Sequence, residues 1–300
     1  MDGKGSRREI ARRTVAAVEA GGYQTADGVP VRVGDAVARA LAGTRLYLPD
    51  DPLPAAGPAP TDPRPAAAGP APTDARPPAA GPASVREQTP AAAVVEVTDE
   101  TTLAAGRRLG PGTACLVFAS AKNPGGGFLG GARAQEEDIA RASALYACLL
   151  RAEEFYAFHR QQDDLRYSDR VIYSPDVPVI RDDRARLIEP YPLSFLTAAA
   201  PNLGAIRNNR PELAADVPAV LRRRAARVLA VAAAHGHRGL VLGAWGCGVF
   251  RNDPATVAAA FADALREVDR FDRVTFAVWD RAADSPTRRA FEQVFTGAAR

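Results

Sequence analysis

The chain has 300 residues, 47% hydrophobic and 24% charged, enough to bury a sizeable core, yet no apolar run approaches the roughly 20 residues of a membrane helix. A formal charge of +3, carried by arginine except at Lys4 and Lys122, is too small to point to specific nucleic-acid binding and fits an arginine-rich codon bias. Cys115, Cys148 and Cys247 are odd in number and widely spaced, which excludes a disulfide framework and a Cys-x-x-Cys zinc site, and the polar start lacks a secretory leader; a cytoplasmic protein with buried free thiols is expected.

In chain order, Ser6 caps a helix over 6–20 with Ile10, Val15 and Val18 on one side, ended by Gly21 and Gly22. A strand over 28–33, a helix over 35–42 and an extended segment over 44–48 complete a small N-terminal helical extension, residues 1–49. Residues 50–92 repeat Ala-Ala-Gly-Pro-Ala-Pro-Thr-Asp with a period of twelve, from Ala55 and again from Ala67. Such aromatic-free, proline-rich sequence cannot offset its ordering entropy and reads as a disordered linker or insert without chemistry.

From residue 93 to 300 the elements alternate: strand 94–97, helix 99–108, strand 114–118, helix 134–151, strands 170–174 and 193–197, helix 217–235, strand 240–243, helix 254–268, strand 273–278 and helix 286–295. That order predicts an α/β core. Pro254 and Pro286 suit a first helical turn. Arg222, Arg223, Arg224 and Arg227 mark either a solvated helix face or a polyanion contact.

Chemistry concentrates in two strand-to-helix loops. The first runs from Asn123 through Gly125, Gly126 and Gly127 to Gln135, Glu136 and Glu137, fifteen residues in all. Glycines let backbone N–H groups approach an anion, and a helix start after a strand is where anions gather. Read alone, the glycines can equally be a connection and the acids a solvated first turn. The second loop, Ala244 to Asp253, holds Gly246, Cys247, Gly248, Val249 and Phe250. Phe250 is placed to cover a ribose or base, or to begin the next core element; Asp253 reads as an N-cap. Cys247 as a nucleophile with His235 or His237 as base is a further option, set against a structural cysteine. The three histidines lack metal-site spacing, so neither metal nor cofactor is expected.

Together the two loops resemble the bacterial-type poly(ADP-ribose) glycohydrolases, whose signature is a Gly-Gly-Gly segment followed shortly by Gln-Glu-Glu, here Gly125–Gly127 and Gln135–Glu137. The likeness covers residues 1–49 and 93–300. It implies a macrodomain-like mixed β-sheet sandwiched between helices, acting on poly(ADP-ribose) as a metal-independent, monomeric glycosidase. Carried over by position, Gly125, Gly126 and Gly127 approach the diphosphate, Glu137 is the catalytic acid, and Glu136 and Gln135 orient the ribose and the catalytic side chain. Asn123 joins the binding set, as do Gly246, Gly248 and Val249 on the diphosphate loop, and Phe250 packs against the distal ribose. Two alternatives keep the fold: a reader that binds ADP-ribose without cleaving it, and a hydrolase of single ADP-ribose units on ADP-ribosylated proteins or nucleic acid.

The residues constrain the mechanism independently. Ordinary glycosidases flank the bond with two carboxylates roughly 5–9.5 Å apart, but neighbours on a helix diverge by about 100°. One glutamate should therefore do the proton transfer, and the resemblance makes it Glu137, acid to the leaving oxygen and then base to water. As an acid near neutral pH it needs a raised pKa, which burial and Glu136 favour and a helix N-terminus opposes.

Overall fold

The computed structural model describes residues 3–54, 93–280, 282 and 284–296; most of the proline-rich insert, residues 55–92, lies outside them. The chain opens with α1 (Gly3–Glu19), the strands β1 (Gly22–Gln24) and β2 (Pro30–Arg32), α2 (Gly34–Gly43) and β3 (Arg45–Tyr47). Gly21, at φ +66°, ends α1 and turns the chain into β1. β1 pairs antiparallel with β2, a small ribbon of which only the second strand was expected.

The core follows with β4 (Val94–Thr98), α3 (Thr102–Leu109), β5 (Thr113–Phe118), α4 (Gln135–Ala142), α5 (Leu145–Leu149) and α6 (Glu153–Arg160). Then come β6 (Val171–Arg181), β7 (Leu187–Ala198), α7 (Leu203–Asn209), α8 (Val217–Ala234), β8 (Gly239–Leu242), α9 (Pro254–Glu267), β9 (Arg273–Ala277) and α10 (Pro286–Phe295). Thr101, Asp253 and Ser285 cap α3, α9 and α10 by accepting a backbone N–H.

Seven strands form one mixed sheet in the order β3-β6-β7-β5-β8-β9-β4. β7, β5, β8, β9 and β4 are mutually parallel, and β6 is antiparallel to β7 and β3. Apolar side chains of α2, α4, α5 and α6 pack on one face around Val117, Phe195 and Ile172. Those of α8, α9 and α10 pack on the other around Leu116, Leu240 and Phe276. This is the expected macrodomain-like sandwich. Its parallel strands all end at one edge, so the loops after β5, β7, β8 and β9 share that edge.

Three expected elements differ. α1 begins at Gly3, so Ser6 lies inside the helix and does not cap it. The helix over 134–151 breaks at Ser143, which is extended and bridges to Val179 of β6. Its hydroxyl donates to Ile139 O and accepts from Leu145 N, so the side chain supplies what the broken helix loses. The strands over 170–174 and 193–197 prove to be ends of the long β6–β7 hairpin, whose prolines at 175, 178, 190 and 192 conceal it in sequence. A bulge between Ser174 and Val177, with Asp176 at φ +43°, accommodates the first of them.

Candidate active site

The first loop leaves β5 and closes on the start of α4. Ser120 makes the turn: its hydroxyl accepts from Asn123 N at 3.2 Å, while its own N–H donates to Glu136 Oε2 at 2.6 Å. Gly125 and Gly126 adopt φ +66° and +60°, a region that costs any other residue about 1–2 kcal/mol. A Cβ on Gly126 would sit 2.4 Å from Glu137 Oε1, and one on Gly127 would sit 2.8 Å from Ala132. The loop therefore lies directly on the glutamates, and Gly127 N donates to Glu137 Oε1 at 3.0 Å.

Each member of the Gln-Glu-Glu triplet has a different environment. Gln135 accepts from Phe118 N at 2.9 Å and donates to Leu116 O at 2.7 Å and Thr102 Oγ1 at 3.1 Å, which sets α4 in register against β5. Glu136 is buried, with Oε1 lacking a hydrogen-bond partner. Burial pushes its carboxyl well above the carboxylate range and the Glu137 charge adds to this, against the N–H groups of Ser120 and Gly125. Glu137 is half-buried and presents its carboxylate at the loop. Asn123 is exposed at the loop's entrance, its carbonyl accepting from Gly126 N.

Arg141 secures the arrangement from behind. Its buried guanidinium donates to Ala132 O at 2.7 Å and pairs with Asp138, while Thr14 of α1 donates to Arg141 O. Ser120 and Arg141 escaped the sequence reading because neither residue type announces a backbone clamp.

The second loop follows β8, beside β5, so the two loops face each other across the sheet edge. Gly246 is at φ +71°, and a Cβ there would meet Asn252 Nδ2 at 2.4 Å and Ala200 at 2.6 Å. Asn252 is buried and donates to Pro201 O at 2.9 Å and Gly246 O at 3.2 Å, stapling the loop to the exit of β7. Gly248 faces open space and Val249 is 82% exposed, so this rim is backbone offered to solvent. Phe250 is half-buried, 6.0 Å from the Tyr167 ring. Tyr167 lies too far along the chain for sequence to have paired them.

The cysteine alternative fails on geometry. His237 Nδ1 donates to Gly112 O while its Nε2 bonds Tyr173 Oη, and His235 Nε2 bonds Tyr47 Oη. Gly112 precedes β5, whereas Cys247 follows the parallel β8, which puts His237 and Cys247 at opposite sheet edges. Burial, with Asp253, pushes the Cys247 thiol up to about 12. His159 is buried between Phe155 O and Ser168, and burial lowers it to about 4. Among the described residues, no three His, Cys, Asp or Glu side chains gather as a metal site. The arginines of α8 are held within the fold: Arg222 by Asp263, Arg223 and Arg224 by Asp169, and Arg227 by Leu48 O and Asp51 O.

The family profile described as microbial-type PARG, catalytic domain, matches residues 11–182, which include the whole first loop and the triplet. The chain belongs to the microbial-type poly(ADP-ribose) glycohydrolases. A poly(ADP-ribose) glycohydrolase crystal structure from Thermomonospora curvata is 47% identical, with 97% of this chain and 99% of that chain covered and a TM-score of 0.80. The T. curvata protein bound to the inhibitor ADP-HPD is 45% identical over the same shares, with a TM-score of 0.78. The Deinococcus radiodurans glycohydrolase in complex with ADP-ribose is 41% identical, covering 89% of this chain and 99% of that one, with a TM-score of 0.71. No curated protein matches the chain. In this glycohydrolase one sheet edge thus carries, on neighbouring strands, a loop that holds two unlike glutamates and a loop that offers bare backbone.

Proposed function

We propose that the chain hydrolyses the ribose–ribose O-glycosidic bond of poly(ADP-ribose) and releases ADP-ribose, with Glu137 as general acid and base. One observation carries this reading: Glu137 alone of the triplet presents a carboxylate to the cleft, held at the glycine loop by Gly127 N. Family membership supports the reaction, and the glycohydrolase structures bound to ADP-ribose and to ADP-HPD support an ADP-ribose site between the two loops.

In this mechanism Glu137 protonates the leaving ribose oxygen as the anomeric C–O bond breaks. An oxocarbenium-like sugar forms, and the same carboxylate then takes a proton from the attacking water. The diphosphate, cradled by Gly246, Gly248 and Val249 and by the first glycine loop, lies close enough to stabilise the developing cation. By the family roles Glu136 orients the ribose from beneath the loop, Gln135 holds the turn, and Phe250 packs on the distal ribose. A single carboxyl group supplies both proton transfers, so no step calls for a metal ion.

Digestion of the polymer tests this. The protein should release ADP-ribose, and Glu137→Gln should lower kcat by about 10²–10⁴-fold while ADP-ribose still binds. A Glu137→Gln protein that turns over at the wild-type rate would remove Glu137 from its role. Binding without release by the wild type would favour a reader, and release only from mono-ADP-ribosylated protein would move the substrate.

A further inference from the structure

α1 lies against the outer flank of the catalytic loop. Arg7 Nε donates to Gly131 O and Arg8 Nε to Gly130 O, each at 2.9 Å. A Cβ on Gly131 would meet Lys4 O at 2.7 Å, so helix and loop are in backbone contact. The catalytic loop delivers the chain to α4 on the sheet face that also carries Ala17 of α1, whereas the second loop delivers it to α9 on the opposite face. The catalytic loop therefore stands between α1 and the second loop.

The exposed side of α1 is strongly basic. Lys4, Arg8 and Arg12 recur every four residues and form one exposed column about 12 Å long, with Arg7 beside it. α1 holds five cations against two carboxylates, Glu9 and Glu19, in a chain whose formal charge is only +3. Glu9 pairs with Arg12 and Arg13 on the exposed surface, a type of pair weak enough to open for a competing phosphate. Arg7 and Arg8 have no carboxylate partner among the described residues.

We propose that this column of α1 binds the diphosphates of the polymer beyond the scissile bond, on the leaving side. The inference rests on the glycohydrolase reading above. There, the unit to be released has its diphosphate at the second loop and its distal ribose at Glu137. The rest of the polymer begins at the leaving oxygen and continues away from the second loop, over the rim that α1 borders. Every unit of that remainder carries a diphosphate, and arginine forks match phosphate oxygens. The column thus makes the enzyme select chains over isolated ADP-ribose units.

The test uses the full chain carrying Glu137→Gln, with and without Lys4→Gln and Arg12→Gln, and measures polymer affinity across a salt series alongside ADP-ribose affinity. Removing the two charges should weaken polymer binding about tenfold at low salt and make the slope of log Kd against log salt shallower by about 1–2. ADP-ribose affinity should stay the same. An unchanged slope, or an equal loss of ADP-ribose affinity, would overturn the proposal. So would wild-type binding of single-stranded DNA as tight as that of the polymer, which would make the column a general polyanion surface. Because binding is read on an uncleaving variant, failure of the wild type to release ADP-ribose counts separately, against the glycohydrolase reading.

Discussion

Gly126 and Glu137 are packed so closely that the glycine's missing Cβ would lie 2.4 Å from the glutamate's Oε1. The glycine run thus fixes the position of the Glu137 carboxylate. It explains why loop and triplet occur together: the loop can rest on the carboxylate only where side chains are absent and φ is positive.

Gly126→Ala should therefore separate activity from stability. Forcing alanine to φ +60° costs about 1–2 kcal/mol, which a domain of this size tolerates, but the methyl group must displace the Glu137 carboxylate. We expect kcat to fall about 100-fold, since a misplacement of about 1 Å is enough for that, with thermal unfolding only slightly earlier. Full activity in a folded Gly126→Ala protein would refute the packing argument.

Glu136 carries a pH dependence. Burial holds its folded pKa above the unfolded value of about 4.3, so the folded state binds that proton more tightly. Below the unfolded pKa the group imposes no penalty; as pH rises from there toward the folded pKa, the wild type progressively loses stability. Glu136→Gln keeps an oxygen for the Ser120 N–H and never ionises. The variant's denaturation midpoint should match the wild type near pH 4 and exceed it near pH 8. Parallel curves across that range would mean that Glu136 is not buried as the fold places it.

Asn252 provides a contrast in kind, because it shapes the second loop without touching the acid. Asn252→Ala removes the bonds to Pro201 O and Gly246 O, at a cost of about 1–3 kcal/mol. With the loop's backbone no longer held toward the cleft, KM for the polymer should rise more than kcat falls. Steady-state kinetics decide it: a kcat loss at constant KM would assign Asn252 to chemistry instead.

How far the sequence reveals this site follows from what each residue depends on. The two glycine loops, the α/β order and the triplet are local patterns, and they fall where expected at one sheet edge. The break at Ser143 depends on a bridge to Val179 and the Glu136 burial on a backbone N–H at Ser120; both are tertiary facts with no local signature. The hairpin of β6 and β7 was obscured by prolines that a bulge accommodates. The arginines of α8 looked alike in sequence, yet Arg224 is fully buried while Arg222 is exposed at the surface.

That buried arginine yields the last prediction. Arg224 lies under the exit of β7, where it donates to Ala199 O and pairs with Asp169 at 2.8 Å, and its Nη2 has no partner. Burial works against the Asp169 carboxylate, but Arg223 and Arg224 hold it below its ordinary range. Asp169→Asn leaves the guanidinium buried beside a neutral amide, and breaking a pair in this way costs about 3–5 kcal/mol. The loss should appear in urea unfolding, while kcat of the folded fraction stays near wild type because neither residue reaches the cleft rim. Arg224→Met in the same background removes the stranded charge and should restore much of the stability. If the double variant is no more stable than Asp169→Asn alone, the penalty lies in the hydrogen bonds that the Asp169 carboxylate accepted from Arg223 and Arg224 and not in an uncompensated charge.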